Sequence, residues 1–394
     1  MKETRKMKAR NLESGITQMS TRPQTPARPQ MPTRRVHRAR LSVLGAVAAG
    51  LALACSAAWA DAKPFNWKFA EYQQPTTSYA RGWEPGLFQP LKEQGIANVK
   101  GYYQESLLSA TDILSGVADG RADLGFISIL YFPRQLPLSQ LASVPFMGTN
   151  AEAAVQTYAE LYQTNKKFKE EYDKAGVHIV SFVPLNPTVL GSREKITDIA
   201  GLVGKKIRAA ALQTATLKEI KALPIALTAP EIYQSLDTGV IDGYTSVPFD
   251  AAVVMSLPEV APYTADTGMG LYNMGVLLMT KKIWDGLSQA QKDKIDAIVA
   301  SYQGVAMNSL KTTTLESCKK IQEQKGTIVV WSDEAKKQYK DAIGDSVLGI
   351  WKAQTAKAGL SEQEIDDFLA EYLAVYHKYD QASSYVSGER VCVE

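Results

Sequence analysis

Between Phe65 and Ile127 the chain alternates short strand-like and helix-like stretches joined by links of a few residues, an order that few folds accommodate. Phe65 to Tyr72 (Phe-Asn-Trp-Lys-Phe-Ala-Glu-Tyr) alternates apolar and polar residues, the period of a half-buried strand. A helical stretch follows from Ser78, a candidate N-cap, to Gln94, with Gly95 at its end. Asn98 to Tyr103 reads as a second strand, a helix starts at Thr111 or Asp112 and stops near Gly120, and Leu124-Gly125-Phe126-Ile127 is a third strand. This β-α-β-α-β order predicts a doubly wound α/β domain.

The pattern then repeats. Residues 150–174 have helical character, Val177 to Pro184 is strand-like, and Leu202 to Tyr244 reads as strand, helix, helix and strand. Val276 to Thr280 is a further strand, preceded by Tyr272-Asn273-Met274-Gly275. From Ser288, a good N-cap, the apolar positions Ile295, Ile298, Val299, Tyr302 and Val305 predict a helix reaching Gln324, long enough to bridge two lobes. Thr327 to Trp331 is a short strand, and helices over about 333–358 and 361–380 finish the chain. Gly120-Arg121-Ala122-Asp123 and Gly239-Val240-Ile241-Asp242 share Gly-x-x-Asp between a helix and a strand. A glycine there can take the left-handed conformation that ends a helix. Residues just past each strand, near Ser128 to Tyr131 and Thr245 to Phe249, fall at strand carboxyl ends, where open α/β sheets hold ligands. In Ile207-Arg208-Ala209-Ala210-Ala211 a single charge stands among small apolar residues. It is either a solvated arginine or a fixed guanidinium aimed at an acid, which it can grip through two donors at once.

The net charge of +3 hides an uneven distribution. Residues 1–60 carry 11 Lys/Arg and 2 Asp/Glu, leaving the rest with 33 against 39. A mildly acidic body offers no basic face from which counterions could be released, which excludes nucleic acid as a partner class. Arg34-Arg35-Val36-His37-Arg38-Ala39-Arg40, the apolar run Leu41 to Ala54 and Ala58-Trp59-Ala60 have the order of a signal peptide cleaved after Ala60. A membrane anchor and lipidation at Cys55 are the alternatives. Met31 would give a leader of ordinary length and is the expected translation start, so residues 1–30 would not be translated. Two cysteines remain after export, Cys318 and Cys392, which permits one disulfide or two free thiols.

Catalytic and metal-binding patterns are not evident. His178 and His377 stand apart from each other and from the cysteines, and the chain has neither a Gly-x-Ser-x-Gly elbow nor a phosphate-cradling glycine loop. The expectation is a binding protein without cofactor or metal.

Gly201-Leu202-Val203-Gly204-Lys205-Lys206-Ile207-Arg208 and Ala229-Pro230-Glu231-Ile232-Tyr233-Gln234-Ser235-Leu236-Asp237-Thr238-Gly239-Val240-Ile241-Asp242-Gly243 resemble the dicarboxylate-type solute-binding proteins of tripartite ATP-independent periplasmic (TRAP) transporters. The resemblance extends over residues 62–385 and includes Pro145-Phe146 and Met279-Thr280-Lys281-Lys282-Ile283-Trp284-Asp285-Gly286-Leu287-Ser288. It implies a two-lobed α/β fold of the periplasmic-binding-protein type (type II-like), with hinge strands and a long bridging helix. Lobe I would comprise residues 61–184 and about 272–311. Lobe II would comprise residues 185–271 and about 312–394 with the C-terminal helices. Arg208 matches the family's carboxylate-binding arginine; Tyr72, Ser128 and Tyr131 would line the first lobe, and Thr245, Ser246 and Phe249 the second. Phe146, Asn186 and Asn273 complete the candidate ligand-binding set, Asn186 standing near where many relatives carry a second arginine. Tyr244-Thr245-Ser246-Val247-Pro248 also departs from the family's acidic residue followed by Asn-Pro. One cation amid Tyr72, Tyr131, Phe146, Phe249 and Tyr272 suits a monocarboxylate with a hydrophobic or aromatic body better than a small diacid. The implied function is a periplasmic receptor delivering an organic acid to TRAP permease membrane subunits for ion-gradient-driven uptake. A binding protein of an ATP-driven importer and a periplasmic enzyme on the same scaffold are the alternatives.

Overall fold

In the computed structural model, residues 63–386 and 388–393 are described. The expected leader, its expected cleavage after Ala60 and the expected start at Met31 lie outside them.

Two separate sheets organise these residues. The first holds β1 (Phe65–Ala70), β2 (Ala97–Tyr102), β3 (Leu124–Ser128), β4 (Val177–Val183) and β10 (Gly275–Thr280), in the order β2-β1-β3-β10-β4. The second holds β5 (Thr188–Ser192), β6 (Lys206–Ala209), β7 (Leu223–Ala226), β8 (Gly243–Pro248), β9 (Tyr263–Asp266) and β11 (Thr327–Val330), in the order β11-β9-β5-β8-β6-β7. β1, β2 and β3 pair in parallel, as do β6, β7 and β8, while β10 and β5 insert antiparallel after the chain changes sheets. Central strands β3 and β10 are buried along their whole length and accordingly read as apolar runs.

The Gly-x-x-Asp echo has one structural meaning in both sheets. Gly120 and Gly239 have φ of 83° and 76°, ending their helices in the left-handed region. Asp123 Oδ2 accepts the Lys68 N–H of β1 at 2.7 Å while its own N–H donates to Lys68 O at 2.9 Å. Asp242 does the same to Lys206 of β6, at 2.8 and 2.7 Å. Each aspartate therefore sets the register at which a parallel strand enters its sheet.

Residues 184–187 cross from β4 to β5, and residues 267–274 cross back from β9 to β10. A third connection is the bridging helix Gln289–Glu323, 35 residues long, which begins at a capping box of Ser288 and Gln291. Tyr302 on this helix stacks on Trp83 of the first lobe at 5.5 Å, and just past its far end Gln324 Nε2 donates to Val253 O of the second at 3.0 Å.

Several boundaries differ from the sequence reading, each for a local reason. Residues 150–174 form two helices, Ala151–Thr164 and Lys166–Lys174, because Asn165 leaves the helical region and its side chain caps the second at Phe168 N–H. Residues 333–358 likewise break at Gly344 (φ 51°) into Asp333–Ile343 and Ser346–Lys357. The strands β5 and β9 were not anticipated. The helices from Ser346 onward pack on the first sheet's side, not with residues 185–271 as the sequence grouping has them. Trp351 Nε1 donates to Pro137 O at 3.0 Å, and Phe368 and Tyr372 meet Phe168 and Tyr158 at centroid distances of 5.4 and 5.3 Å. There these rings meet an aromatic counter-surface.

Candidate functional site

Arg208 is the third residue of β6, flanked in register by Ile225 of β7 and Tyr244 of β8. β6 lies between β8 and the edge strand β7, and Arg208 is 1 % exposed. Its Nε donates to Leu227 O at 2.9 Å, and Nη1 donates to Thr245 O at 3.0 Å and Ser246 O at 3.4 Å. Among the described residues no carboxylate forms an ion pair with it, and Nη2 has no hydrogen-bond partner. A buried cation held by carbonyl dipoles alone is expensive unless an anion joins it.

The carbonyls face Arg208 because of a kink in β8. Ser246 has φ of 62°, so Thr245 O and Ser246 O converge on one guanidinium nitrogen. Gln213 locks the kink from behind: its Nε2 donates to Thr245 Oγ1 at 2.7 Å, and its Oε1 accepts from the Ser246 hydroxyl. Thr245 and Ser246 thus act through their carbonyls. Gln213, fully buried, was missed in the sequence, where a glutamine on a helix carries no distinguishing signal.

The first lobe contributes aromatic walls. Tyr72 lies beyond β1, stacked on Phe126 at 5.9 Å and edge-on to Tyr131 at 5.7 Å. Burial foremost, then Tyr131 and Glu71, push the Tyr72 phenol well above its ordinary range, while Arg208 pulls it back down, which places the guanidinium in this ring's field. Tyr131 OH accepts the Ala229 N–H at 3.0 Å, two residues beyond the carbonyl that holds Arg208 Nε. This bond spans the two lobes. A cavity of about 200 Å³ continues outward, lined by Tyr72, Gln73 and Gln104 on one side and Pro230, Tyr233 and Met255 on the other.

The remaining candidates divide. Ser128 Oγ donates to Asn273 Oδ1 at 2.9 Å, and that oxygen also accepts Met274 N–H, so the two sit together where β3 meets β10. Phe146, at φ 65°, is anchored to Met269 O and packs edge-on against Tyr339 at 5.9 Å, beside the second crossover. Phe249 is fully buried, and Tyr272 is buried with its hydroxyl 2.8 Å from Thr216 Oγ1. Asn186 uses its amide hydrogens on Asp250 Oδ1 (2.7 Å) and Thr314 Oγ1 (2.8 Å), which places it in the hinge rather than at the Arg208 face. Cys318 and Cys392 are joined as a disulfide.

Among the described residues no group of three or more His, Cys, Asp or Glu could hold a metal ion, and no helix is long and apolar enough to cross a membrane. His178 stacks on Trp284 at 3.8 Å, and burial, reinforced by Lys169 and Lys281, pushes its pKa down to about 3. His377 is 2.8 Å from Gln381 on the last helix.

The sequence profile of the bacterial extracellular solute-binding proteins, family 7, matches residues 87–354. The ectoine-binding periplasmic protein TeaA of Halomonas elongata is 24% identical over 340 residues, spanning 84% of this chain and 95% of that one. Among solved structures, a marine-metagenome TRAP solute-binding protein specific for aromatic acids, in complex with metahydroxyphenylacetate, superposes with TM-score 0.72 at 23% identity over 80% of this chain and 99% of its own. A Rhodoferax ferrireducens TRAP solute-binding protein holding copurified benzoate gives TM-score 0.72 at 20% identity, with the same coverage of 80% and 99%. With the profile covering most of the chain and the two-lobed α/β fold shared over 80% of it, this chain belongs to family 7 of the bacterial extracellular solute-binding proteins, the periplasmic receptors of TRAP transporters.

Proposed function

We propose that this protein captures an organic monocarboxylate with an aromatic or hydrophobic body between its lobes, without chemical turnover, and hands it to a TRAP permease for ion-gradient-driven uptake. We further propose that it reaches the periplasm by cleavage after Ala60. The observation that carries the ligand class is Arg208: a 1 % exposed guanidinium whose bonded partners are all carbonyls. An incoming carboxylate supplies the missing charge at Nη2, in a site from which closure removes water, where such a pair is far stronger than at a surface. Tyr72 and Tyr131 supply aromatic surface for the body of the ligand, with Phe126 stacked behind Tyr72. The structural neighbours that bind benzoate and metahydroxyphenylacetate support this choice.

Titration calorimetry with benzoate, 3-hydroxybenzoate and metahydroxyphenylacetate, against galacturonate and ectoine, tests the reading. At least one aromatic acid is expected to bind in preference to the last two. Arg208→Ala should weaken it roughly 100-fold, the effect of about 3 kcal/mol expected for a buried charged hydrogen-bonding pair, with the melting transition retained. Equal affinity in wild type and variant would remove the basis for the assignment.

A further inference from the structure

The chain does not end with its last long helix, Glu362–Ala382. The following residues turn back across the molecule and reach all three connections between the lobes. Tyr385 OH and the Gly388 N–H both donate to Asn186 Oδ1 in the first crossover, at 2.9 and 3.1 Å. The other end of the same amide holds Asp250 and Thr314, so Asn186 ties tail, second lobe and bridging helix into one knot. Arg390 Nε lies 3.1 Å from Asp266 Oδ2, where β9 gives way to the second crossover, sharing that carboxylate with Lys336 Nζ at 2.7 Å. Cys392 is bonded to Cys318 on the bridging helix, and both cysteines are half-buried rather than sealed in the core. Glu389 is 2 % exposed, so the segment is docked rather than laid on the surface.

Lobes that move relative to one another must change backbone torsions in these connections, because sheets are too tightly packed to deform continuously. A segment bonded to the first crossover and to the strand end from which the second departs, and covalently fixed to the bridging helix, opposes such changes. We propose that residues 383–386 and 388–393 form a hinge clamp, locked by Cys318–Cys392, which sets how readily the lobes open and close and loosens when the disulfide is reduced. The proposal regulates the capture site described above, rests on closure of the lobes, and is independent of which ligand is bound.

Hydrogen exchange read by mass spectrometry on the ligand-free protein tests it. The oxidised protein is compared with the dithiothreitol-reduced protein, with Cys318→Ser/Cys392→Ser, and with Tyr385→Phe, which keeps the disulfide. The peptide covering 184–190 contains Thr188 N–H, which donates to Gly270 O at 3.1 Å, and the peptide covering 267–274 contains Leu271 N–H, which donates to Gly148 O at 2.9 Å. Opening the disulfide is expected to speed exchange there at least tenfold while peptides from β3 and β6 keep their rates. Tyr385→Phe is expected to speed only the 184–190 peptide. Unchanged crossover peptides on reduction would overturn the clamp, as would a uniform acceleration throughout the protein, the mark of a tail that merely adds to global stability. Because no ligand is used, failure here is distinguishable from failure of the carboxylate assignment.

Discussion

Arg208 and Glu71 are both buried ionisable groups, and the protein settles them in opposite ways. Arg208 is met by oriented carbonyls, whereas burial pushes the Glu71 carboxyl up to about 8 despite bonds that favour its anion, such as that from Gln73 N–H at 2.9 Å. The sign follows from comparing states. Below the ordinary value of 4.5 both folded and unfolded chains hold the proton; between there and about 8 only the folded chain does, so stability drains as pH rises. Glu71→Gln, which keeps an oxygen for Gln73, is therefore expected to match wild type near pH 4.5 and to gain on it steadily up to pH 8, by at most about 5 kcal/mol, then run parallel. Urea unfolding at four pH values checks this, and a pH-independent offset would contradict it. The sequence revealed Arg208 because a lone charge in a run of small apolar residues has to be accounted for. It could not reveal the carbonyl cage, which depends on a left-handed serine; Tyr-Thr-Ser-Val-Pro announces no such kink, as a glycine would have done.

At the level of elements, the crossovers tolerate little change and the exposed helix faces much. Gly270 has φ of 99°, and a Cβ there would lie 2.4 Å from Gly148 O. Gly270→Ala should cost about 2–4 kcal/mol through strain and displacement of that backbone. Gly304, exposed within the bridging helix with no heavy atom within 4 Å of its would-be Cβ, gives the opposite case: Gly304→Ala should stabilise by about 0.5–1 kcal/mol. Thermal unfolding of the pair checks both signs. The bridging helix was readable end to end because apolar spacing and the Ser288 cap agree. Strands β5 and β9 were not, since four or five residues following Asn-Pro or Ala-Pro give too short a run for periodicity to register.

Over the whole molecule, the Tyr131–Ala229 bond is a latch between lobes, and its loss should shift the population rather than the fold. Tyr131→Phe is expected to leave the melting transition nearly in place and to weaken ligand binding about threefold to tenfold, the effect of one neutral hydrogen bond of about 1 kcal/mol, with a larger radius of gyration in solution scattering. The recurrence of strand-helix-strand order made two α/β lobes legible. Where the final helices dock was not, because helical spacing shows which face is apolar without showing what covers it; Phe368, Tyr372 and Tyr376 would suit any aromatic surface. The bridging helix also restricts what kind of motion is open to the lobes. At 35 residues it is a rod roughly 50 Å long, gripped by stacked rings at Tyr302, a little before its midpoint, and by Gln324 just past its far end. Such a strut fixes a separation while permitting torsion, so the two halves swivel about its axis and do not pull apart along it.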